Sequence, residues 1–206
     1  MQFYEWLNQT FWGMDSSIFR AVYETGNKSP WISDFARIVS YFGDSGIFFI
    51  VMVVVFLIFR KTRKTGIILG LGMLICTLIN NTILKEVVAR PRPYDEVEEF
   101  NMMWNSLSVF AKQKMHSFSF PSGHTATAAV IGVGLFILNN KKFSWLFLLI
   151  PLLMGWSRIA LFVHYPSDVL FGLVFGALSV VCSYFLSKLL FKWKLLQDLT
   201  NGDKLF

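Results

Sequence analysis

Lys85, Arg92, His124, Arg158, His164 and Asp168 fall in three short clusters, each beside a long apolar run. The first reads Lys85-Glu-Val-Val-Ala-Arg90-Pro91-Arg92-Pro93. The residue before proline avoids the helical region, so the preceding helix should end near Arg90, and Arg92 can curl back toward Lys85. A point charge and a planar guanidinium then converge on one anion, although such a cluster alone reads equally as a basic patch for lipid headgroups. The second reads Ser119-Phe120-Pro121-Ser122-Gly123-His124. With Pro121 at the first helical position, the next amides are left unpaired and Gly123 permits close approach, which makes an anion site with His124 beside it as a proton donor. By itself this cluster also reads as a helix cap with an interfacial histidine. The third runs from Ser157-Arg158 to His164-Tyr-Pro-Ser-Asp168. Pro166 should open a helix with Asp168 in its first turn, so that the carboxylate faces the imidazole. A carboxylate on the Nδ1 proton leaves Nε2 bare and aimed, as a nucleophilic histidine requires, although a capping Asp near an interfacial His has the same spacing.

Together the clusters supply the cations Lys85, Arg92 and Arg158, a helix-start amide group, His124, His164 and Asp168. That set suits phosphoryl transfer, which demands neutralised equatorial oxygens and an in-line nucleophile and leaving group. No metal or other cofactor is expected: the chain has only three histidines, and no carboxylate cluster lies inside an apolar run. An arginine or histidine at membrane depth is costly and is by default a site residue facing the protein interior.

The elements that must position these groups are membrane helices. The 206 residues are 54% hydrophobic and 16% charged, with 22 Phe and 7 Trp, too apolar for a typical soluble fold. Five uncharged stretches, 45–59, 65–84, 125–140, 143–157 and 169–187, predict an all-α, multi-span bundle, the shorter runs borrowing flanking residues to cross. Gly66-x-x-x-Gly70 and Gly172-x-x-x-Gly176 mark close helix packing, and Cys76 and Cys182 read as packing residues. Residues 1–43 are interrupted by charges and so are not a cleaved signal; the spacing of Phe3, Trp6, Leu7 and Phe11, then of Trp31, Phe35 and Ile38, predicts amphipathic helices in the interface, parted by Gly26-Asn27 and Ser29-Pro30. The net charge of +6 resides in clusters at span ends, with no basic face carrying stacking aromatics, so nucleic acid is not a predicted partner. Arg60, Lys61, Arg63 and Lys64, then Lys141 and Lys142, then Lys188, Lys192 and Lys194 fall on one side, which the positive-inside rule makes the cytoplasm, with the C-terminus there and the three polar clusters opposite. The connection 94–119 is too long for a plain loop; Phe100, Met102, Met103, Trp104, Leu107, Val109 and Phe110 suit either a surface lid for an acyl or prenyl chain or a tether packed on the helix ends.

The pattern Lys85-x6-Arg92-Pro93, Pro121-Ser122-Gly123-His124, Ser157-Arg158-x5-His164-x3-Asp168 resembles the type 2 phosphatidic acid phosphatase superfamily, with all three motifs complete and in order. The resemblance makes residues 1–206 one membrane phosphatase domain. It implies that Lys85, Arg92 and Arg158 grip a phosphate with Ser122 and the Gly123 amide. It further implies that His164 attacks phosphorus to form a phosphohistidine, that Asp168 orients His164, and that His124 protonates the leaving oxygen and later activates water. The expected substrate is a lipid phosphate on the extracytoplasmic face. Undecaprenyl diphosphate is preferred for the short chain, although relatives with that activity often carry Asp where Gly123 stands; phosphatidylglycerophosphate and phosphatidate are the alternatives. A transporter that binds lipid phosphate without cleaving it is the rival of another class.

Overall fold

A lipid-facing chain can satisfy its backbone amides only within itself, which leaves the helix as the local solution for every uncharged run. The structure, a computed structural model, describes residues 3–27, 29–139 and 141–190, and among these no strand occurs. Asn140, Lys192 and Lys194, which entered the sequence reading of spans and topology, lie outside the described residues. Helices α1 (Phe3–Asn27) and α2 (Trp31–Tyr41) are parted where the Gly-Asn and Ser-Pro pairs predicted. After α3 (Ile47–Ile58), α4 (Arg63–Cys76) passes through a π-helical stretch, Thr77–Leu84, into the short α5 (Lys85–Val88). Then come α6 (Pro93–Glu96), α7 (Glu98–Asn105), α8 (Gly123–Leu138), α9 (Leu149–Ala160, led in by a 3-10 turn) and α10 (Pro166–Leu190). Two segments, Arg60–Glu96 and Pro166–Leu190, are long and apolar enough to cross a membrane; Ile47–Ile58, Gly123–Leu138 and Ser144–Ala160 are shorter apolar helices.

Helix α10 is the spine of the bundle, packed on α8 and α4. Contact is close because glycines face backbone: a Cβ on Gly176 would collide with the Ala126 carbonyl oxygen, and one on Gly172 would sit 2.7 Å from that of Ser122. Ile68, Leu69, Ala126, Val130, Ile131 and Val180 fill the centre, whereas Val51, Val54, Leu74, Leu78 and Leu178 point outward, as lipid-facing residues do. Cys76 is buried in this core, but Cys182 is exposed on the outside of α10.

A second layer closes one end. Phe19 of α1 and Phe100 and Met103 of α7 pack on Phe162 and Tyr165, between α9 and α10. Of the α1 residues singled out by spacing, Leu7 is buried while Phe3 and Trp6 point outward; on α2, Trp31, Phe35 and Ile38 are all exposed. The 94–119 connection contains α6 and α7, with Trp104 tilted against Tyr94 at 4.8 Å between centroids and with Val109 and Phe110 exposed.

Two predicted helix boundaries are displaced. The α5 helix ends at Val88, because Ala89 turns left-handed at φ 50°. Pro121 does not open α8; Ser122 is extended, its N–H held by the Asp168 carbonyl oxygen at 3.1 Å, and the helix starts at Gly123 with Ser122 as its N-cap.

Candidate active site

The turn 161–165 between α9 and α10 presents His164, with Phe162 in the left-handed region at φ 53°. Arg92 reaches it from the chain that follows α5: its Nη1 lies 3.0 Å from His164 Nε2 and donates to the Val163 carbonyl oxygen at 2.7 Å. The rest of that guanidinium is fastened to the Ser117 carbonyl and hydroxyl oxygens and to the Phe118 carbonyl oxygen. A guanidinium can only donate, so Nε2 accepts and the imidazole proton resides on Nδ1. Nδ1 points at Asp168 Oδ2 from 3.6 Å, an ion-pair distance beyond direct hydrogen bonding. Burial first, and then the charges of Arg92, Arg158 and Lys85, hold the His164 imidazole well below its ordinary pKa, so the ring is neutral near pH 7.

A cavity of about 330 Å³ opens on this group, and Lys85, Arg92, Gly123, His124 and His164 all contribute to its wall. Asp168, Ser122 and Arg158, expected beside them, are buried behind. Asp168 backs His164. The Ser122 hydroxyl faces Thr125 Oγ1 at 2.9 Å. Arg158 hydrogen-bonds Ser40 through Nη1, while its Nε and Nη2 have no protein partner among the described residues. A buried guanidinium with unmet donors suits an arriving anion, since unpaired burial is costly. Among the described residues no three His, Cys, Asp or Glu side chains converge as a metal site.

Three groups escaped the sequence reading. Asp44, between α2 and α3, accepts from His124 Nε2 at 2.9 Å and from Arg37 Nη1 at 2.9 Å. Partial burial pushes its carboxyl up, but the hydrogen bonds from His124 and Arg37 outweigh that and bring it down to about 2. Arg90, read only as a helix end, is buried against Asp168 Oδ1 at 2.6 Å and Asp15 Oδ2 at 3.1 Å. Asp15 in turn holds the Ser167 N–H at 2.8 Å and its hydroxyl at 2.6 Å. One signal was available for Asp15: it shares a helical face with Asn8 and Phe19, a polar pair on an otherwise inward apolar stripe.

A family model described as PAP2 superfamily matches residues 65–192, more than half of the chain. An undecaprenyl-diphosphatase of Sulfolobus acidocaldarius is 31% identical over 122 residues, 59% of this chain and 54% of the relative. The undecaprenyl-diphosphatase BcrC of Bacillus subtilis is 30% identical over 118 residues, 57% of this chain and 56% of the relative, so the chain spans about half the length of both. Phosphatidylglycerophosphatase B of Bacillus subtilis is 30% identical over 167 residues, covering 73% of each. Among solved structures, a transmembrane PAP2 type phosphatidylglycerolphosphate phosphatase from Bacillus subtilis superposes with a TM-score of 0.67 at 25% identity, over 90% of this chain and 92% of that one. Aquifex aeolicus LpxE does so with a TM-score of 0.66 at 26% identity, over 82% and 93%. With apolar helices long enough to cross a bilayer and a transmembrane structural relative, the chain is a membrane protein. The family match covers the three motifs and, of the cavity wall, Lys85, Arg92, Gly123, His124 and His164, and the chain belongs to the PAP2 superfamily.

Proposed function

We propose that this chain is a lipid phosphatase working through a phosphohistidine on His164. The observation that carries the reading is the unprotonated Nε2, facing Arg92, of a buried, neutral imidazole on the wall of a cavity that Lys85 and Arg92 also line. Lys85 and Arg92 would take the non-bridging oxygens, with Arg158 behind them and the Gly123 amide at the start of α8. The Nε2 electron pair forms the bond to phosphorus as the bond to the leaving oxygen breaks, and His124 supplies that oxygen with a proton. A water that gives its proton to His124 then attacks phosphorus, the N–P bond breaks, and inorganic phosphate leaves. Asp168 would stabilise the positive ring of the intermediate through its Nδ1–H. A transporter has no need of an oriented nucleophile, which weighs against that rival.

Undecaprenyl diphosphate is the substrate favoured here, cleaved to undecaprenyl phosphate, in line with the two relatives named for that reaction. Phosphatidylglycerophosphate is the second reading, favoured by the 73% coverage of the B. subtilis relative of that name. Five spans, α1 and α2 in the interface, a lid over residues 94–119 and a site on the extracytoplasmic face complete the proposal. The sidedness rests on Arg60, Lys61, Lys141 and Lys142 at turns between apolar helices.

The test is His164→Ala in purified protein, offered undecaprenyl diphosphate, phosphatidylglycerophosphate and phosphatidate in detergent. Turnover should vanish on all three, while wild-type protein quenched in mid-reaction should carry acid-labile, base-stable phosphate. Substantial turnover by His164→Ala would sink the assignment, and the relative kcat/KM values of the wild type rank the substrates.

A further inference from the structure

The Arg90 guanidinium lies over the Tyr165 ring, its Cζ 3.7 Å from the centroid, with its side chain 1% exposed. It is shared between two carboxylates: Nη1 donates to Asp168 Oδ1 at 2.6 Å and Nη2 to Asp15 Oδ2 at 3.1 Å. Its Nε donates to Asn8 Oδ1 at 2.9 Å, so α1 supplies two of its anchors. Asp15 also grips the first turn of α10 through both the N–H and the hydroxyl of Ser167, next to Asp168 in sequence. Both carboxylates and the guanidinium are almost wholly removed from solvent, where charge is weakly screened.

When Nε2 bonds to phosphorus while Nδ1 keeps its proton, the His164 ring becomes cationic, and Asp168 is the carboxylate that faces it. An Arg90 paired with Asp168 alone would cancel that carboxylate. With Asp15 sharing the same guanidinium, the three groups together carry one net negative charge. We propose that Asp15, on a helix outside the family-matched residues, is a positioning residue for phosphoryl transfer: by dividing Arg90 and fastening the start of α10, it leaves Asp168 charged and aimed at the phosphohistidine. Asp15 does not touch the cavity. Its influence should therefore fall on formation of the intermediate and not on phosphate binding, which Lys85 and Arg92 perform.

This inference rests on His164 as nucleophile and Asp168 as its partner, so His164→Ala is measured alongside. Dioctanoyl phosphatidate in detergent micelles is the probe, with the stoichiometry of vanadate binding, which does not require the intermediate, giving the active fraction. Asp15→Asn should lower kcat per active site by about tenfold, as loss of one member of a coupled buried network typically does, with KM changed less than about twofold. Adding Asn8→Asp puts a carboxylate back against Arg90 Nε and should restore kcat to within about threefold of wild type. A merely structural Asp15 would lower the active fraction and leave kcat per site unchanged; that result, or wild-type kcat in Asp15→Asn, overturns the proposal. Where Asp15→Asn alone is not recovered folded, the double variant decides, and a loss near tenfold in it also overturns the proposal. Turnover surviving in His164→Ala would instead overturn the phosphohistidine reading itself.

Discussion

Gly43 offers a way to displace His124, the proposed proton donor, without altering any charge. Its backbone, at φ −93° and ψ −11°, is one that alanine adopts freely, so Gly43→Ala adds only a methyl group. That methyl would lie 2.6 Å from Cδ2 of His124 and 2.9 Å from Cε of Met154. The methionine end is flexible and can yield, but the imidazole is tied to Asp44 at 2.9 Å. To regain ordinary contact at 3.4 Å the ring must retreat by about 0.8 Å, enough to stretch or break that tie. A misplacement on the order of 1 Å costs roughly a hundredfold in rate, so turnover of an alkyl phosphate should fall by roughly 30- to 100-fold. The assay compares kcat/KM for that substrate and for p-nitrophenyl phosphate, whose leaving oxygen needs little protonation; kcat/KM ends at formation of the intermediate, before the water attack that also uses His124, and should fall less than about threefold on the nitrophenyl ester. Equal losses on the two substrates would refute His124 as the leaving-group acid, and unchanged turnover of both would show that the ring moves aside at no cost.

Asp44 should also leave an acid signature. Its carboxyl is held at about 2, below the ordinary 3.8, so its contribution to stability is complete above about pH 4 and is lost as pH falls toward 2. The depression corresponds to roughly 2 kcal/mol, and the gap in unfolding midpoint between wild type and Asp44→Asn should be present at pH 6 and close toward pH 2; a gap that does not vary with pH contradicts the clasp. With Lys85, Arg92 and Arg158 supplying the neutralising charge, as proposed, turnover should persist in EDTA, and loss of activity restored by magnesium would mean a different chemistry. For topology, a cysteine replacing Lys64 should be shielded from an impermeant thiol reagent in intact cells while one replacing Asp95 reacts, and the opposite labelling would put the site in the cytoplasm.

The positions of Arg92, His124 and His164 around one cavity were legible in the sequence because each stands at a proline- or glycine-marked helix end, where local rules fix the chain, and Lys85 lies within about two turns of one. Arg90, Asp15 and Asp44 were not legible in the same way. Arg90 meets Asp15 across 75 positions and His124 meets Asp44 across 80, and no periodicity encodes such pairings. Pro121 misled for a similar reason: the proline rule concerns one strand of chain, and the start of α8 was decided by a hydrogen bond to Asp168 on another helix. The inward packing of α1 was half visible. Its stripe of Asn8, Asp15 and Phe19 was there, but the aromatic residues chosen by spacing include Phe3 and Trp6, which face outward.

The π-helical stretch Thr77–Leu84 immediately precedes Lys85. Widening the hydrogen-bond ring from i→i+4 to i→i+5 accommodates additional residues in the same length of span, so everything beyond it is turned about the axis relative to an uninterrupted α-helix. Each residue of α-helix advances about 100° around the axis, so one residue deleted from the regular α4 helix before Thr77 would swing the ammonium of Lys85 about that far from the cavity it lines, whereas one deleted within the π-helical stretch is absorbed as that stretch tightens to an α-helix. In this span the count of residues, as much as their chemistry, decides whether a cation faces the cavity or the lipid.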